Sequence, residues 1–212
     1  MFPDATIPER IADGTMHVIG VIGAIAGAVA LLVWARGTVD LAGMAALSIY
    51  SIALIATFAA SAIYNMIPYD GPRPILRRID HAAIYLKIAG TYTPLVVMIG
   101  TGFAYLVLAV VWALAVIGMV LKLFFWRRPG RFGPALYLIM GWLSVGLVFG
   151  LWPVVPGVSM LLIAIGGLLY TGGVPFYAAK KLRFSTAIWH GFVVAASACF
   201  FAAIALGAPA LA

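Results

Sequence analysis

The sequence predicts an all-α membrane protein, a bundle of seven transmembrane helices, on three observations. Of its 212 residues, 65% are hydrophobic and only 9% are charged, so a water-soluble domain of this length has no way to bury its apolar surface. Seven apolar runs, each of about 20 residues, follow one another along the chain. The segments between them are short and contain most of the lysine and arginine, as is typical of loops between membrane spans.

The apolar runs set the predicted helix boundaries, because a helix needs about 20 apolar residues to cross the hydrocarbon core. Proline, glycine and charge mark the clearest breaks, at 68–78, 127–133 and 180–183. No soluble domain fits between the runs, so a single domain is predicted over residues 1–212. The predicted helices are 14–35, 41–66, 79–100, 103–125, 134–153, 157–178 and 185–208.

The distribution of positive charge predicts the orientation of the bundle. Only Arg36 lies on one side of the predicted membrane, and Lys87 lies within a predicted helix. Because cytoplasmic loops are enriched in lysine and arginine, the N-terminus is predicted in the cytoplasm and the C-terminus outside. A net charge of +7 that is confined to loops also makes nucleic acid a poor candidate partner. The other side has eleven of the thirteen basic residues: Arg10, Arg73, Arg77, Arg78, Lys122, Arg127, Arg128, Arg131, Lys180, Lys181 and Arg183.

Polar and ionisable residues gather at the cytoplasmic end of the predicted bundle. With a rise of about 1.5 Å per residue, they all lie within roughly 10 Å of that boundary. Ionisable groups inside a membrane are costly and usually face the bundle interior or a water-filled cavity. We therefore predict a polar cavity that opens towards the cytoplasm. Its residues come from the first, second, third and seventh predicted helices: Asp13, His17, Ser61, Asn65, Asp80, His81, Thr186 and His190.

Some of these residues also have a purely structural explanation. Asp13 and His81 fit helix ends in the headgroup region, where polarity costs little. Asp80 fits a first-turn acid that complements the helix dipole. His190 lies six residues beyond Phe184, among isoleucine, tryptophan, phenylalanine and valine, so an interior partner is favoured for it.

Lys87 is a cation inside an apolar run. It follows Asp80 by seven residues, so it lies on the same helical face about two turns deeper. Three roles stay open: pairing with an interior carboxylate, reaching back to the surface along its apolar stem, or acting as an uncharged base. We favour the ion pair.

Several motifs resemble those of a known family. They are "SAIYN" (61–65), "RRIDHAAIYLKIAGTYTP" (77–94), "RRPGRF" (127–132), "LYLIMGWL" (136–143) and "IWHGFVVAASAC" (188–199). Together they make the chain similar to the bacterial hemolysin III proteins, which are relatives of the progestin and adiponectin receptors within the alkaline-ceramidase-like superfamily. The resemblance extends over essentially the whole chain.

The resemblance implies seven transmembrane helices, a cytoplasmic N-terminus and a zinc site on the cytoplasmic side. In the family pattern, the second helix has a serine and, four residues later, a histidine. An aspartate opens the third helix, and two histidines four residues apart lie on the seventh. Three histidines would hold zinc and the aspartate would bind or activate water, as in an open hydrolytic zinc centre. The implied reaction is hydrolysis of an amide bond in a lipid such as a ceramide.

This sequence retains only part of that pattern. Ser61 and Asp80 stand at the serine and aspartate positions and are predicted to be catalytic. His190 remains as a metal ligand together with Asp80, whereas Asn65 and Thr186 occupy two histidine positions. A carboxamide oxygen is a poorer zinc ligand than an imidazole nitrogen, so zinc is expected at less than full occupancy.

The first helix contributes two further cavity residues. His17 matches the histidine that the family has there, and Asp13 stands where an asparagine is usual.

Three functions are consistent with these residues. The first is membrane-lipid homeostasis or sensing, with a membrane lipid or a fatty acid as ligand of the cavity. The second is zinc-dependent hydrolysis of a lipid amide, and the third is pore formation by a cytolysin, for which the sequence offers no ring of like charge. We favour the first, in a multi-pass protein of the inner (cytoplasmic) membrane, and leave catalysis and the oligomeric state open.

Overall fold

The computed structural model describes residues 6–69, 71–125, 132–179 and 181–212, with the backbone alone at 132–135. The described residues are almost entirely helical, which confirms the all-α class. The predicted loop cations Arg127, Arg128, Arg131 and Lys180 lie outside them. The helices are α1 (Ile7–Ala35), α2 (Leu41–Met66), α3 (Arg73–Ile99), α4 (Gly102–Phe124), α5 (Phe132–Trp142), α6 (Val148–Leu151), α7 (Gly157–Ala178) and α8 (Ser185–Gly207), with short 3-10 helices at Leu143–Leu147 and Ala208–Leu211.

Six of these helices are long and apolar enough to cross a membrane: α1, α2, α3, α4, α7 and α8, the last with its 3-10 extension. A further apolar stretch, Leu136–Leu151, is shorter. Many large apolar side chains point outwards, among them Ile22, Val33 and Phe149. A surface of this kind is unfavourable in water but matches the hydrocarbon core of a bilayer. The chain is therefore a multi-pass membrane protein.

Two helices begin earlier than the apolar runs predict. α1 begins at Ile7 rather than at residue 14, because a Glu9 oxygen accepts hydrogen bonds from the Thr6 amide at 2.8 Å and the Thr6 hydroxyl at 2.6 Å. α3 begins at Arg73 rather than at residue 79, with Pro74 in its first turn. Both starts use residues that suit a helix N-terminus but are too polar to count as part of a membrane span.

The run predicted as one continuous helix over 134–153 is divided into α5, a 3-10 helix and α6. The Tyr92 hydroxyl, on α3, donates to the carbonyl oxygens of Met140 at 2.7 Å and Gly141 at 3.0 Å. The Ser144 hydroxyl also donates to the Gly141 carbonyl, at 2.8 Å. These carbonyls would otherwise accept the next backbone amides of an α-helix, so the side chains compete with the helical ladder where it changes to 3-10 geometry.

Small residues bring the first three helices close together. On α1, Gly20, Ala24 and Ala28 are buried, and a β-carbon at Gly20 would lie 2.5 Å from the Phe58 ring of α2. A β-carbon at Gly90 of α3 would lie 2.5 Å from that of Ala53. Close approach through small residues is the usual way in which helices pack in a membrane. In the folded chain α1 also packs against α8, which places the first long helix beside the last.

Candidate functional site

Asp13 lies between two histidines that come from opposite ends of the chain. Its Oδ1 is 2.6 Å from Nδ1 of His190, and its Oδ2 is 3.5 Å from Nε2 of His17. The two imidazole centroids are 4.3 Å apart. All three side chains are largely shielded, with exposed fractions of 17% for Asp13, 2% for His17 and 12% for His190. A carboxylate and two imidazoles therefore share one small volume inside the bundle.

A contact between the first turn of α1 and the start of α8 aligns these residues. The backbone amide of Phe184 donates to Oε1 of Glu9 at 3.0 Å. Glu9, Asp13 and His17 are spaced by four residues and so lie along one face of α1. His190 lies six residues, or about one and two-thirds turns, beyond Phe184, and its ring reaches Asp13. Glu9 thus connects the start of α1 to the start of α8 and fixes the position of His190 along the bundle relative to Asp13.

Asp13, His17 and His190 form a group that can hold a metal ion. Each offers one ligand atom, and these atoms all lie within 4.8 Å of one another. Two imidazole nitrogens and one carboxylate oxygen are a donor set that zinc accepts, and three protein ligands leave a fourth position for water. The group joins His190 to Asp13 and His17, two residues that were predicted from sequence only as cavity residues.

The surroundings of His17 support the interpretation that these three residues can hold a metal ion. Its Nε2 is buried and makes no hydrogen bond to the described residues, because the 3.5 Å separation from Asp13 is too long for a good one. A buried polar atom without a hydrogen bond carries a free-energy cost that a bound cation or water would remove.

The predicted catalytic pair borders the same volume. Ser61 and Asp80 both line the cavity that contains the three-residue group, and Asp80 interacts electrostatically with His190 and His17. The polar cluster is defined here as Asp13, His17, Ser61, Asp80 and His190. Side chains from α1, α2, α3 and α8 therefore line one cavity.

Asn65 and Thr186, which the family resemblance assigns to histidine positions, both line the cavity. The Asn65 carboxamide nitrogen donates to the Ser61 carbonyl oxygen of its own helix at 2.9 Å. Thr186 is half-buried in the first turn of α8, one turn before His190. His81 is also half-buried and lines the same cavity. Asn65 thus uses its amide within α2.

A cavity of about 1100 Å³ extends from the polar cluster into the bundle. At one end it is lined by every residue of the polar cluster, and along its length by apolar side chains such as Leu54, Leu95 and Ile163. Its shape and lining are those of a pocket for a molecule with a polar head and an apolar body.

Lys87 lines this cavity but does not form the ion pair that we favoured from sequence. Its Nζ donates a hydrogen bond to Oγ of Ser197 on α8 and lies over the rings of Phe58 and Tyr170, 4.6 Å and 5.4 Å from their centroids. Among the described residues no carboxylate pairs with it. The prediction was wrong because the acids of α1 and α3 lie nearer the helix ends, next to histidines.

Glu9 is the site residue that sequence reasoning missed. Its position in the polar segment before the first apolar run hides its structural role. The available signal is the four-residue spacing of Glu9, Asp13 and His17 in "ERIADGTMH", which places three ionisable groups on one helical face.

Comparison with known proteins agrees with the predicted family. The family described as Haemolysin-III related matches residues 6–201. The Hemolysin-3 homolog of Bacillus subtilis (strain 168) is 38% identical over 199 residues, covering 92% of each chain. Hemolysin-3 of Bacillus cereus is 34% identical over 196 residues, covering 92% of this chain and 90% of that one.

A human protein supports the relation to the progestin and adiponectin receptors. The monocyte to macrophage differentiation factor of Homo sapiens is 29% identical over 165 residues, which cover 74% of this chain and 67% of the human one. The match to the family extends from the start of α1 into α8, and so includes every helix that contributes to the polar cluster. The chain belongs to the Haemolysin-III related family.

Proposed function

We propose that the protein binds a membrane lipid in its central cavity and acts in membrane-lipid homeostasis or sensing. The observation that carries the proposal is the cavity of about 1100 Å³, polar at one end and apolar along its length. An amphiphile with a compact polar head matches both parts, because its head exchanges hydrogen bonds with polar side chains of the cavity while its chain avoids water.

The proposal includes a membrane arrangement. It has seven spans, with the apolar segment Leu136–Leu151 as the fifth, so the two termini lie on opposite sides of the membrane. The N-terminus is in the cytoplasm and the C-terminus is outside. The basic loops support this orientation through their excess of lysine and arginine. In a bacterial inner membrane the polar cluster then lies near the cytoplasmic leaflet, from which a lipid enters the cavity.

Filling the cavity tests the proposal. Ile163 of α7 lines the cavity, whereas Ile165 of the same helix faces outwards, with 38% of its surface exposed. We expect Ile163→Trp to reduce the lipid that remains bound to the purified protein at least about twofold, because the indole occupies the volume of the chain. Ile165→Trp should leave it unchanged. Bound lipid is measured by native mass spectrometry of protein released from detergent.

Two results would contradict a lipid-binding cavity. One is wild-type protein that retains no lipid through purification. The other is an equal amount of bound lipid in the Ile163→Trp and Ile165→Trp variants.

A zinc-dependent lipid amide hydrolase is the second candidate function, and the grouping of Asp13, His17 and His190 favours it. These three residues would hold the ion, which when bound would lower the pKa of a water molecule and so supply a nucleophile at neutral pH. Asp80 would hold and accept the proton of that water. The Ser61 hydroxyl would donate a hydrogen bond to the oxygen that becomes negatively charged in amide cleavage.

Metal analysis of the purified protein separates this candidate from simple lipid binding. The hydrolase requires about one zinc per chain in the wild type, its loss in His190→Ala and in His17→Ala, and its retention in His81→Ala, since His81 lies outside the three-residue group. Freshly purified protein without metal would exclude the hydrolase, as would equal loss in all three variants. Pore formation has no supporting observation in the described part of the chain.

A further inference from the structure

The Lys87 subsite is a second polar level in the cavity, formed by Lys87, Ser197, Tyr170 and Phe58, which all line it. The Lys87 side chain is buried, with 8% of its surface exposed. Ser197 donates to the Val193 carbonyl of its own helix and is 3.1 Å from the Tyr170 hydroxyl. The Ser197 oxygen is therefore an acceptor for the Lys87 Nζ, and α3, α7 and α8 are joined at this level.

The spacing along two helices separates this level from the polar cluster. Lys87 follows Asp80 by seven residues on α3, and Ser197 follows His190 by seven residues on α8. Seven residues are two turns, or about 10 Å along a helix. The cavity thus has two polar levels, one that is acidic and rich in histidine and a deeper one with a single basic group.

The partners of Lys87 suit an ammonium ion but do not neutralise it. The described residues surround its Nζ with one hydroxyl and two aromatic faces, which attract a cation through hydrogen bonding and the ring quadrupole. A buried cation is normally paired with an anion, because desolvation without a counter-charge is costly. Since no carboxylate of the described residues pairs with it, the cavity itself is where an anion completes the environment.

We propose that Lys87 binds the anionic head of a single-chain amphiphile, a long-chain carboxylate or phosphate monoester, whose chain runs along the apolar part of the cavity. This rests on the proposed lipid-binding function and adds the charge of the ligand and the residue that recognises it. The apolar lining beyond Lys87 includes Leu95, Leu151 and Ile163, so the chain has an apolar path next to the head. A fully apolar ligand would leave the ammonium unpaired, and a cationic one would be repelled.

Four ligands of equal chain length test the proposal: hexadecanoate, hexadecyl phosphate, hexadecanol and hexadecylamine. Their binding to the purified full-length protein is compared by native mass spectrometry. In the wild type we expect the two anions to bind at least about tenfold more tightly than hexadecanol, with hexadecylamine the weakest. The order of the two anions identifies the preferred head group.

Variants then assign the preference to one residue. Lys87→Met should remove the preference for the two anions over hexadecanol, whereas Lys87→Arg should retain it. Arg36→Met is the control, because it removes the same charge at an exposed position outside the cavity.

The outcomes distinguish this proposal from the function on which it rests. Equal binding of all four ligands to the wild type would overturn the role of Lys87 and keep the lipid-binding cavity. A preference for anions that persists in Lys87→Met would also overturn the role of Lys87 and keep the lipid-binding cavity. Binding of none of the four would overturn both. The wild-type comparison needs no variant, so it decides the proposal even where Lys87→Met does not fold.

Discussion

The Asp13 carboxylate contacts two imidazoles, one on its own helix and one on α8. An aspartate this well shielded requires compensation, because a buried carboxylate loses its hydration. Histidine provides it in either of two ways, as a protonated partner or as a co-ligand of a cation. The carboxylate of Asp13 thus gives this site a negative charge that the two histidines can balance.

Histidines at positions 65 and 186, where the family resemblance implies them, should strengthen metal binding. In the double variant Asn65→His and Thr186→His, we expect at least about a tenfold increase in zinc affinity, because imidazole nitrogen is a better zinc ligand than amide or hydroxyl oxygen. Position 186 lies one turn before His190, on the same face of α8. Competition with a zinc-binding dye in detergent measures the change.

A third substitution provides the control for this gain. Thr15 is exposed on α1 and bonds only to the Ile11 carbonyl of its own helix, so Thr15→His should leave zinc affinity unchanged. Equal affinities in the wild type and the double variant would show that positions 65 and 186 do not face the bound metal.

The segment from α5 to α6 shows how a side chain of one helix shapes the backbone of another. The Tyr92 hydroxyl serves the Met140 and Gly141 carbonyls, and Tyr92 itself is buried, with 4% of its surface exposed. We expect Tyr92→Phe to lower the free energy of unfolding by about 1–2 kcal/mol, because both carbonyls lose a buried partner. Hydrogen exchange of the amides in 141–147 should become faster.

A second tyrosine tests whether this effect is local. Tyr105, on α4, is exposed, with 45% of its surface accessible, and Tyr105→Phe should change neither stability nor exchange in 141–147. Unchanged exchange in Tyr92→Phe would mean that the 3-10 geometry is set by the backbone sequence alone.

Helix prediction succeeded where the information is local. α2 and α7 have the predicted boundaries because proline, glycine and charge flank their apolar runs. The early starts of α1 and α3 were missed because a hydropathy criterion ignores capping residues. The division of the fifth run was missed because its cause, Tyr92, lies 48 residues away along the chain.

The same reasoning explains what could be predicted of the site. Ionisable residues are rare within membrane spans, so their shared depth was enough to place Asp13, His17, Asp80 and His190 in one layer. Their pairing depends on the packing of α1 against α8, which no local pattern encodes. The hydrogen bond between Glu9 and Phe184 joins residues 175 positions apart. The partners of Lys87 depend in the same way on the packing of α8 against α3 and α7.

The orientation of the whole bundle can be tested with its loops. Cys199→Ala removes the one cysteine of the sequence and provides the background for two single-cysteine variants. Thr38→Cys lies in an exposed loop after α1, and Leu182→Cys lies in an exposed loop before α8. The excess of positive charge near the second loop predicts that it is cytoplasmic. A membrane-impermeant maleimide should therefore label Thr38→Cys in intact cells, and Leu182→Cys only after lysis. The reverse pattern would invert the proposed topology.

The adjacency of α1 and α8 has a consequence for biogenesis. Asp13 emerges from the ribosome early, whereas His190 follows 177 residues later, when nearly the whole polypeptide has been made. Throughout that interval the aspartate must remain near interfacial water or impose a cost on the inserted helix. Release of α8 from the translocon then brings the His190 imidazole to Asp13. The polar site is therefore completed only when this last long helix packs against α1.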